Sequence, residues 1–410
     1  MMMIESPITG ETEGQECTHT QPDNSLGCVA AGRHAPVANW IAGTSCQARL
    51  GRMRKAGRST PSYCRGIAAM RFHAHVVRMA EHWIRPQPRG IHVAAGDFWI
   101  DPGHPVERAV ITHGHADHAR PGHGEVWATP ETLAIMAKRY GPMSGARPLP
   151  PGEEVRLGGV RVRFAPAGHV LGSAQVVMDH AGERVVVSGD FKRRPDPTCA
   201  PFEPVGCDIW VTEATFGLPV FRHPDASAEA WRAIAAARAN PDRCVLIGAY
   251  ALGKAQRMIA ELRTAGWDRP IWIHGALSRL TDLYRDLGVE LGDIRPAMAA
   301  EGPQAYRASI VLAPPSALAD RWSRRLPDPI IAMASGWMRV HQRARQRGVE
   351  LPLVVSDHAD WDELTDTITE LKPAEVWVTH GREEALVHWC NTQGIAARAL
   401  LITGREDEDD

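Results

Sequence analysis

The sequence predicts an α/β fold in which a region of short strands and loops gives way, after Gly217, to strands alternating with helices. Three observations point there. Short apolar runs bounded by turn residues recur from Trp83 to Phe216. From Ala226 onward helical segments separate such runs, which is how a parallel, Rossmann-like sheet reads. Finally, four strand-like runs end in side chains able to bind a metal, which places ligand-bearing loops at one edge of a sheet.

In the first region His92-Val93-Ala94, Phe98-Trp99-Ile100, Val110-Ile111 and Val126-Trp127-Ala128 read as strands. Pro130 to Arg139 reads as a helix, because Thr129 can cap it and proline is tolerated at the first helical position. Val160 to Phe164 and Gln175 to Met178 are the next strands. Gly182 marks a turn, with Arg184 to Ser188 as the returning arm of a hairpin, and Asp208 to Val211 is a further strand. In the second region the helices are Ala226 to Ala239, Lys254 to Thr264 and Leu277 to Leu287. The strands are Cys244 to Tyr250, Ile271 to Ile273, Ile310 to Ala313 and Ile330 to Ala334.

Composition sets bounds. A chain of 410 residues with 44% hydrophobic residues has room for two or three domains, or one with a large insertion. No run approaches the ~20 apolar residues that a membrane span needs. The formal net charge of -2 means that a nucleic-acid partner would need a local basic surface. Eight cysteines without a CxxC pair suit a reducing cytoplasm. Residues 1–80 are rich in Gly, Ser, Thr, Pro and Arg without periodicity. They read as disordered, or as an upstream extension with Met70 or Met79 as the start, and Met1-Met2-Met3 has no secretory signal behind it. The rival reading is a small module using Cys17, Cys28, Cys46 and Cys64 as metal ligands, though their spacings match no zinc pattern. Residues 404–410 read as a solvated acidic tail.

The chemistry concentrates in Arg108 to His123, RAVITHGHADHARPGH. A buried strand ends there in His113-x-His115-x-Asp117-His118. Neutral imidazole and carboxylate are ligands that zinc and similar metals prefer. Residues two apart in extended chain point the same way, so His113 and His115 can grip one ion. Asp117 and His118, where the chain turns, can face a second. Three later runs end the same way, at His169 after Phe164 to Gly168, at Asp190 after Arg184 to Gly189, and at His380 after Val376 to Thr379.

The HxHxDH pattern resembles the signature of the metallo-β-lactamase superfamily. The resemblance implies an αββα sandwich binding two divalent ions, Zn²⁺ or Mn²⁺. His113, His115 and His169 would hold the first ion, Asp117, His118 and His380 the second, and Asp190 would bridge them. Asp101 matches the supporting Asp that orients a ligand ring, its alternative being a turn residue before Pro102-Gly103. Thr212-Glu213-Ala214-Thr215-Phe216-Gly217, Val354 to Asp360 and His380 look like motifs A, B and C of the β-CASP nuclease branch, and the likeness covers about Trp83 to Thr403. It implies a β-CASP insert at 222–340, between metallo-β-lactamase parts at 81–221 and 341–403. THGHADHARPGH, LGKAQR, SGWM and SDHADWDEL are most similar to bacterial ligase-associated DNA exonucleases, which implies DNA as substrate and an ATP-dependent DNA ligase and a helicase as partners. His380 leaves RNA open, because RNA-processing members keep that His whereas eukaryotic DNA-repair members typically lack it.

Phosphodiester cleavage needs an activated water, neutralised phosphate charge and a proton for the leaving oxygen, and two metals supply the first two. His358 is the candidate proton donor, with Glu213 holding its ring and favouring the charged form. The alternatives are a phosphate ligand for His358 and a cap for Glu213. For nucleic-acid contact the candidates are Lys254 and Arg257 at a helix start, Ser335, Gly336 and Trp337 in a turn after a strand, and Arg339 with the arginines that follow. A buried Trp337 and a solvated arginine face are the plainer outcomes. A DNA exonuclease in repair leads, ahead of an RNA-processing enzyme, a small-molecule hydrolase and a non-catalytic binding subunit.

Overall fold

The computed structural model describes residues 80–400 and Ile402. The expectations for the N-terminal extension and the acidic tail fall outside the described residues.

Two sheets pack face to face. The first runs in the order β1 (Ile84–Gln87), β2 (Gly90–Val93), β3 (Phe98–Ile100), β4 (Arg108–Val110), β5 (Glu125–Ala128) and β6 (Ala146–Pro148). The second begins with β7 (Glu154–Leu157), β8 (Val160–Pro166), β9 (Ala174–His180), β10 (Glu183–Val187) and β11 (Ile209–Ala214). The late strands β18 (Glu375–Gly381) and β19 (Ala396–Ala399) join it beside β11. Strand alternation decides which way each side chain faces. Val110, Val185, Val187, Ile209 and Val211 meet between the sheets, with Ile100, Phe164 and Trp377. Ala109 points outward onto Leu133 and Met136 of helix α1 (Pro130–Tyr140). Val186 and Trp210 point outward, into the cluster of Leu364 and Ile368 of α6 (Trp361–Leu371) and Leu386 of α7 (Glu383–Thr392). Helix, sheet, sheet, helix is the αββα order that the family resemblance implies.

Helix α1 starts where expected, with the Thr129 side chain accepting from the Thr132 N–H at 3.2 Å. Helix α6, which follows the short α5 (His341–Gln346), carries its own start signal, a reciprocal capping box between Asp360 and Glu363.

The third sheet is wholly parallel, in the order β14 (Ile294–Pro296), β13 (Ile271–Ile273), β15 (Ile310–Ala313), β12 (Val245–Gly248), β16 (Ile330–Ala334), β17 (Leu351–Leu353). Helices α2 (Ala226–Ala239), α3 (Lys254–Thr264) and α4 (Gly275–Asp286) cover one face, around Ile247, Ile273 and Leu312. Short 3-10 turns cover the other, around Leu246, Trp272 and Val311. This is the Rossmann-like unit expected from alternating strands and helices. β12 stops at Gly248, short of the expected Tyr250, because the chain leaves the sheet there to turn back toward the first region. The last strand of this sheet lies past residue 340. No described helix is long and apolar enough to cross a membrane.

Candidate metal centre

The side chains of interest stand at the C-terminal ends of β4, β8, β10, β11, β17 and β18, where the chain leaves a sheet and its side chains can converge. Two ligand loops need glycine to do so. Gly168 (φ +74) and Gly189 (φ +58) precede His169 and Asp190 in left-handed backbone, and a Cβ at either would lie 2.3 Å from the Lys192 carbonyl oxygen or 2.7 Å from Thr112 Cβ.

The loops bring three donor groups together among the described residues. His113, His115, His169 and Asp190 form one, His118, Asp190 and His380 the second, and Asp190, Glu213 and His358 the third, so Asp190 belongs to all three. Its Oδ2 lies 3.3 Å from His113 Nε2, 3.7 Å from His169 Nε2 and 3.5 Å from His118 Nε2, while its Oδ1 lies 3.3 Å from His380 Nε2. Asp117 stands beside the second group, 3.3 Å from His118 Nε2. All of these are buried except Asp117, which is partly exposed.

Two observations test whether a metal fits. Donors ~2.0–2.2 Å from one ion at tetrahedral angles lie about 3.3–3.6 Å apart; the contacts of Asp190 with His113, His118, His169 and His380 span 3.3–3.7 Å, and His115 Nδ1 lies 2.9 Å from His169 Nε2. Among the described residues, His113 Nε2 and Asp190 Oδ1 are also buried without a well-formed hydrogen bond. Unsatisfied buried polar atoms are costly unless a ligand takes them up. The residues fit two divalent ions.

The far side of every imidazole is tied to oxygen. His118 Nδ1 lies 2.8 Å from Asp101 Oδ2, and His113 Nδ1 lies 3.0 Å from Thr112 Oγ1. The Thr112 hydroxyl donates to Asp101 Oδ2 at 2.7 Å, so it is left to accept from His113, and the Thr112 N–H donates to Asp101 Oδ1 at 2.8 Å. Asp101 therefore steers one ring directly and another through Thr112, from a left-handed backbone (φ +43) that favours small polar residues. His380 repeats the device: Nδ1 lies 2.8 Å from Thr379 Oγ1, whose hydroxyl donates to the Thr212 carbonyl at 3.2 Å. His169 Nδ1 meets the Asp357 carbonyl at 2.9 Å and His115 Nε2 the Leu252 carbonyl at 3.4 Å. An N–H committed outward leaves the inward nitrogen as a lone pair, the form a metal needs. Thr112, Thr379 and the two carbonyls are absent from the sequence reading. The threonines left a trace there, since Thr-His ends both strands; the carbonyls left none.

Electrostatics support the neutral form of His113 and His169. Burial, then the charge of His118, pushes His113 down to about 4, and burial with His358 and His113 holds His169 well below its usual value. Both are neutral near pH 7. Burial opposes ionisation of Asp190 and Asp117, but nearby histidines, His118 foremost, outweigh it and hold both well below the usual carboxylate range.

Glu213 sits where the β11–β18 register shifts between Thr212 and Ala214, an irregularity that re-aims its side chain. Its Oε2 lies 3.0 Å from His358 Nδ1 and its Oε1 accepts from the Phe191 N–H at 2.8 Å. His358 Nδ1 is 4.0 Å from Asp190 Oδ2, so the pair adjoins the donor groups.

The expected nucleic-acid contacts fare differently. Only Arg339 is exposed; Lys254, Arg257, Ser335, Gly336 and Trp337 are buried. Lys254 Nζ lies 3.5 Å from Asp357 Oδ2, and Arg257 is enclosed by Asp196, Glu261 and Asp357. Their helix starts against the metal loops, so its charges are spent internally rather than at the surface. Trp337 packs on Phe216 and Phe221, with Arg343 across its ring, and is a packing residue rather than a stacking platform. Lys192 and Arg194, which trail Asp190, are bound to Glu363 and Asp360.

Residues 96–248 match the family model described as a beta-lactamase superfamily domain. The chain is similar to a probable DNA ligase of Opitutus terrae, with 28% identity over 76% of this chain and 30% of that protein. It is also similar to ribonuclease TTHA0252 of Thermus thermophilus, with 28% identity over 59% of this chain and 63% of that one. Cleavage and polyadenylation specificity factor 73 of Drosophila melanogaster is 25% identical over 57% and 41%. The chain thus spans less than two thirds of each of these relatives. A crystal structure of a protein of unknown function from Enterococcus faecalis shares the fold, with a TM-score of 0.50 at 12% identity, covering 73% of this chain and 80% of the other.

Proposed function

We propose, for a chain that belongs to the metallo-β-lactamase superfamily in its β-CASP nuclease branch, that it hydrolyses phosphodiester bonds at DNA ends as an exonuclease of repair. One observation carries the hydrolytic part: two donor groups share Asp190, with the Glu213–His358 pair beside them. Two divalent ions, when bound, supply an activated water and neutralise the phosphate. His113, His115, His169 and Asp190 hold one; Asp117, His118, His380 and Asp190 hold the other. Glu213 fixes the His358 ring through Nδ1, so a proton delivered to the leaving oxygen departs from Nε2. Asp101 keeps two ligand rings in register.

The choice of DNA rests on likeness over 76% of this chain to part of a protein named a probable DNA ligase. A ligase and a helicase are the proposed partners and the cytoplasm the proposed place of action. We place the insert from about 222 to at least Leu353 rather than 340, because β17 is a strand of its parallel sheet, and we take that sheet as a wall of the substrate cleft. The second reading is cleavage of RNA, favoured by His380 in the second donor group and by relatives named as a ribonuclease and a polyadenylation factor.

Matched end-labelled DNA and RNA, single- and double-stranded, digested with and without Zn²⁺ or Mn²⁺, decide between them. The expected result is metal-dependent release of nucleotides from DNA ends, lost in Asp117→Ala with binding retained. Cleavage of RNA alone overturns the DNA reading, and cleavage of simple esters with no polynucleotide cut overturns both.

A further inference from the structure

The parallel sheet carries a cavity of about 450 Å³ on the face away from its helices, which no role described so far uses. Met298, Pro303, Tyr306, Trp322, Arg324 and Arg325 line it. The volume suits one base with its sugar.

Its position matters. Trp322 packs edge-on against His274, ring centroids 4.7 Å apart, and His274 directly follows β13. Trp322 thus stands at the C-terminal edge of a sheet whose strands all run the same way. That edge is also where the chain beyond β12 brings the Leu252 carbonyl to His115 in the metal centre. β13 is two places from β12 in the sheet, about 10 Å at ~4.8 Å per strand. A strand of nucleic acid leaving the metal centre along this edge reaches Trp322 within a few nucleotides.

The charge matches such a strand. Residues 294–349 hold nine arginines and three carboxylates, in a chain of net charge -2. Within that stretch Arg295 and Arg307 are paired with Asp293 and Asp242, whereas Arg321, Arg324 and Arg325 are exposed and have no carboxylate within ion-pair distance among the described residues. Met298, 69% exposed, adds an apolar floor. Aromatic ring, apolar floor and unpaired guanidinium groups together form a surface for an unpaired base and its flanking phosphates.

We infer that Trp322, Arg324 and Arg325 form a stacking subsite for single-stranded nucleic acid a few nucleotides from the scissile bond. This rests on the nuclease reading. The test is fluorescence anisotropy of the full chain, without added metal, on a labelled single-stranded 15-mer at several salt concentrations. Trp322→Ala weakens binding about 10-fold and Trp322→Phe restores most of it. Arg324→Glu with Arg325→Glu weakens it at least as much and lowers the salt slope by about 1.4. Both arginines are exposed, so that pair decides the matter if Trp322→Ala loses thermal stability. Unchanged affinity and slope in a chain whose wild type binds the strand overturn the subsite alone. A wild type that binds no single strand, DNA or RNA, overturns the nuclease reading with it.

Discussion

The metal centre and the ion-pair belt beside it both bury titratable side chains and settle them in opposite ways. In the belt each charge meets its opposite: Lys192 and Arg194 on Glu363, Arg194 on Asp360, and Arg257 among Asp196, Asp357 and Glu261. Burial disfavours the charged Arg257, but Asp196, Asp357 and Glu261 outweigh it. In the centre the imidazoles are fixed from behind while their inward nitrogens crowd one carboxylate. A self-contained network holds a fold together; a network complete on its outer side only is built for something to arrive.

Breaking each region in turn sharpens that contrast. Asp190→Ala removes the shared donor and costs about 10³-fold or more in phosphodiester hydrolysis, read by steady-state kinetics on a labelled strand. Its urea midpoint stays near wild type. Arg257→Ala does the reverse, leaving Asp196 buried without its cation and Asp357 with Lys254 alone. It destabilises the chain by about 3–5 kcal/mol in urea unfolding. Acid should find the belt as well. Burial raises the cost of charging Glu363, yet Lys192 and Arg194 hold it at about 2. Its folded value is depressed below the ordinary 4.5, so its stabilisation is complete above about pH 4.5 and is lost as pH falls toward 2. Unfolding midpoints between pH 6 and 2.5 should show that fall, and Glu363→Gln should flatten it. The mildest change is Asp101→Asn, which keeps shape but weakens the grip on His118 and Thr112. Metal affinity drops about 10–100-fold, by competition with a chelator, with little change in fold.

How much of this the sequence disclosed depended on whether a side chain or the backbone carried the message. The clustering of the donor side chains was legible because imidazoles and carboxylates at strand ends have few other uses, and the parallel sheet because helix-length segments separated its strands. The basic residues were misread for one reason. Lys254 and Arg257 open a helix, where an anion is favoured, but the anions turned out to be Asp357, Asp196 and Glu261, two of them from distant stretches. Sequence spacing cannot report such partners. The carbonyls of Leu252 and Asp357 that steer His115 and His169 belong to no residue type at all, so only the folded chain reveals them.

The most direct test is a count of metal bound per chain, by plasma mass spectrometry after loading with Zn²⁺ or Mn²⁺ and desalting. Two ions in the wild type, with loss of at least one in Asp190→Ala, is the expected result. A wild type that holds one ion or none, or an Asp190→Ala chain that still holds two, contradicts the account.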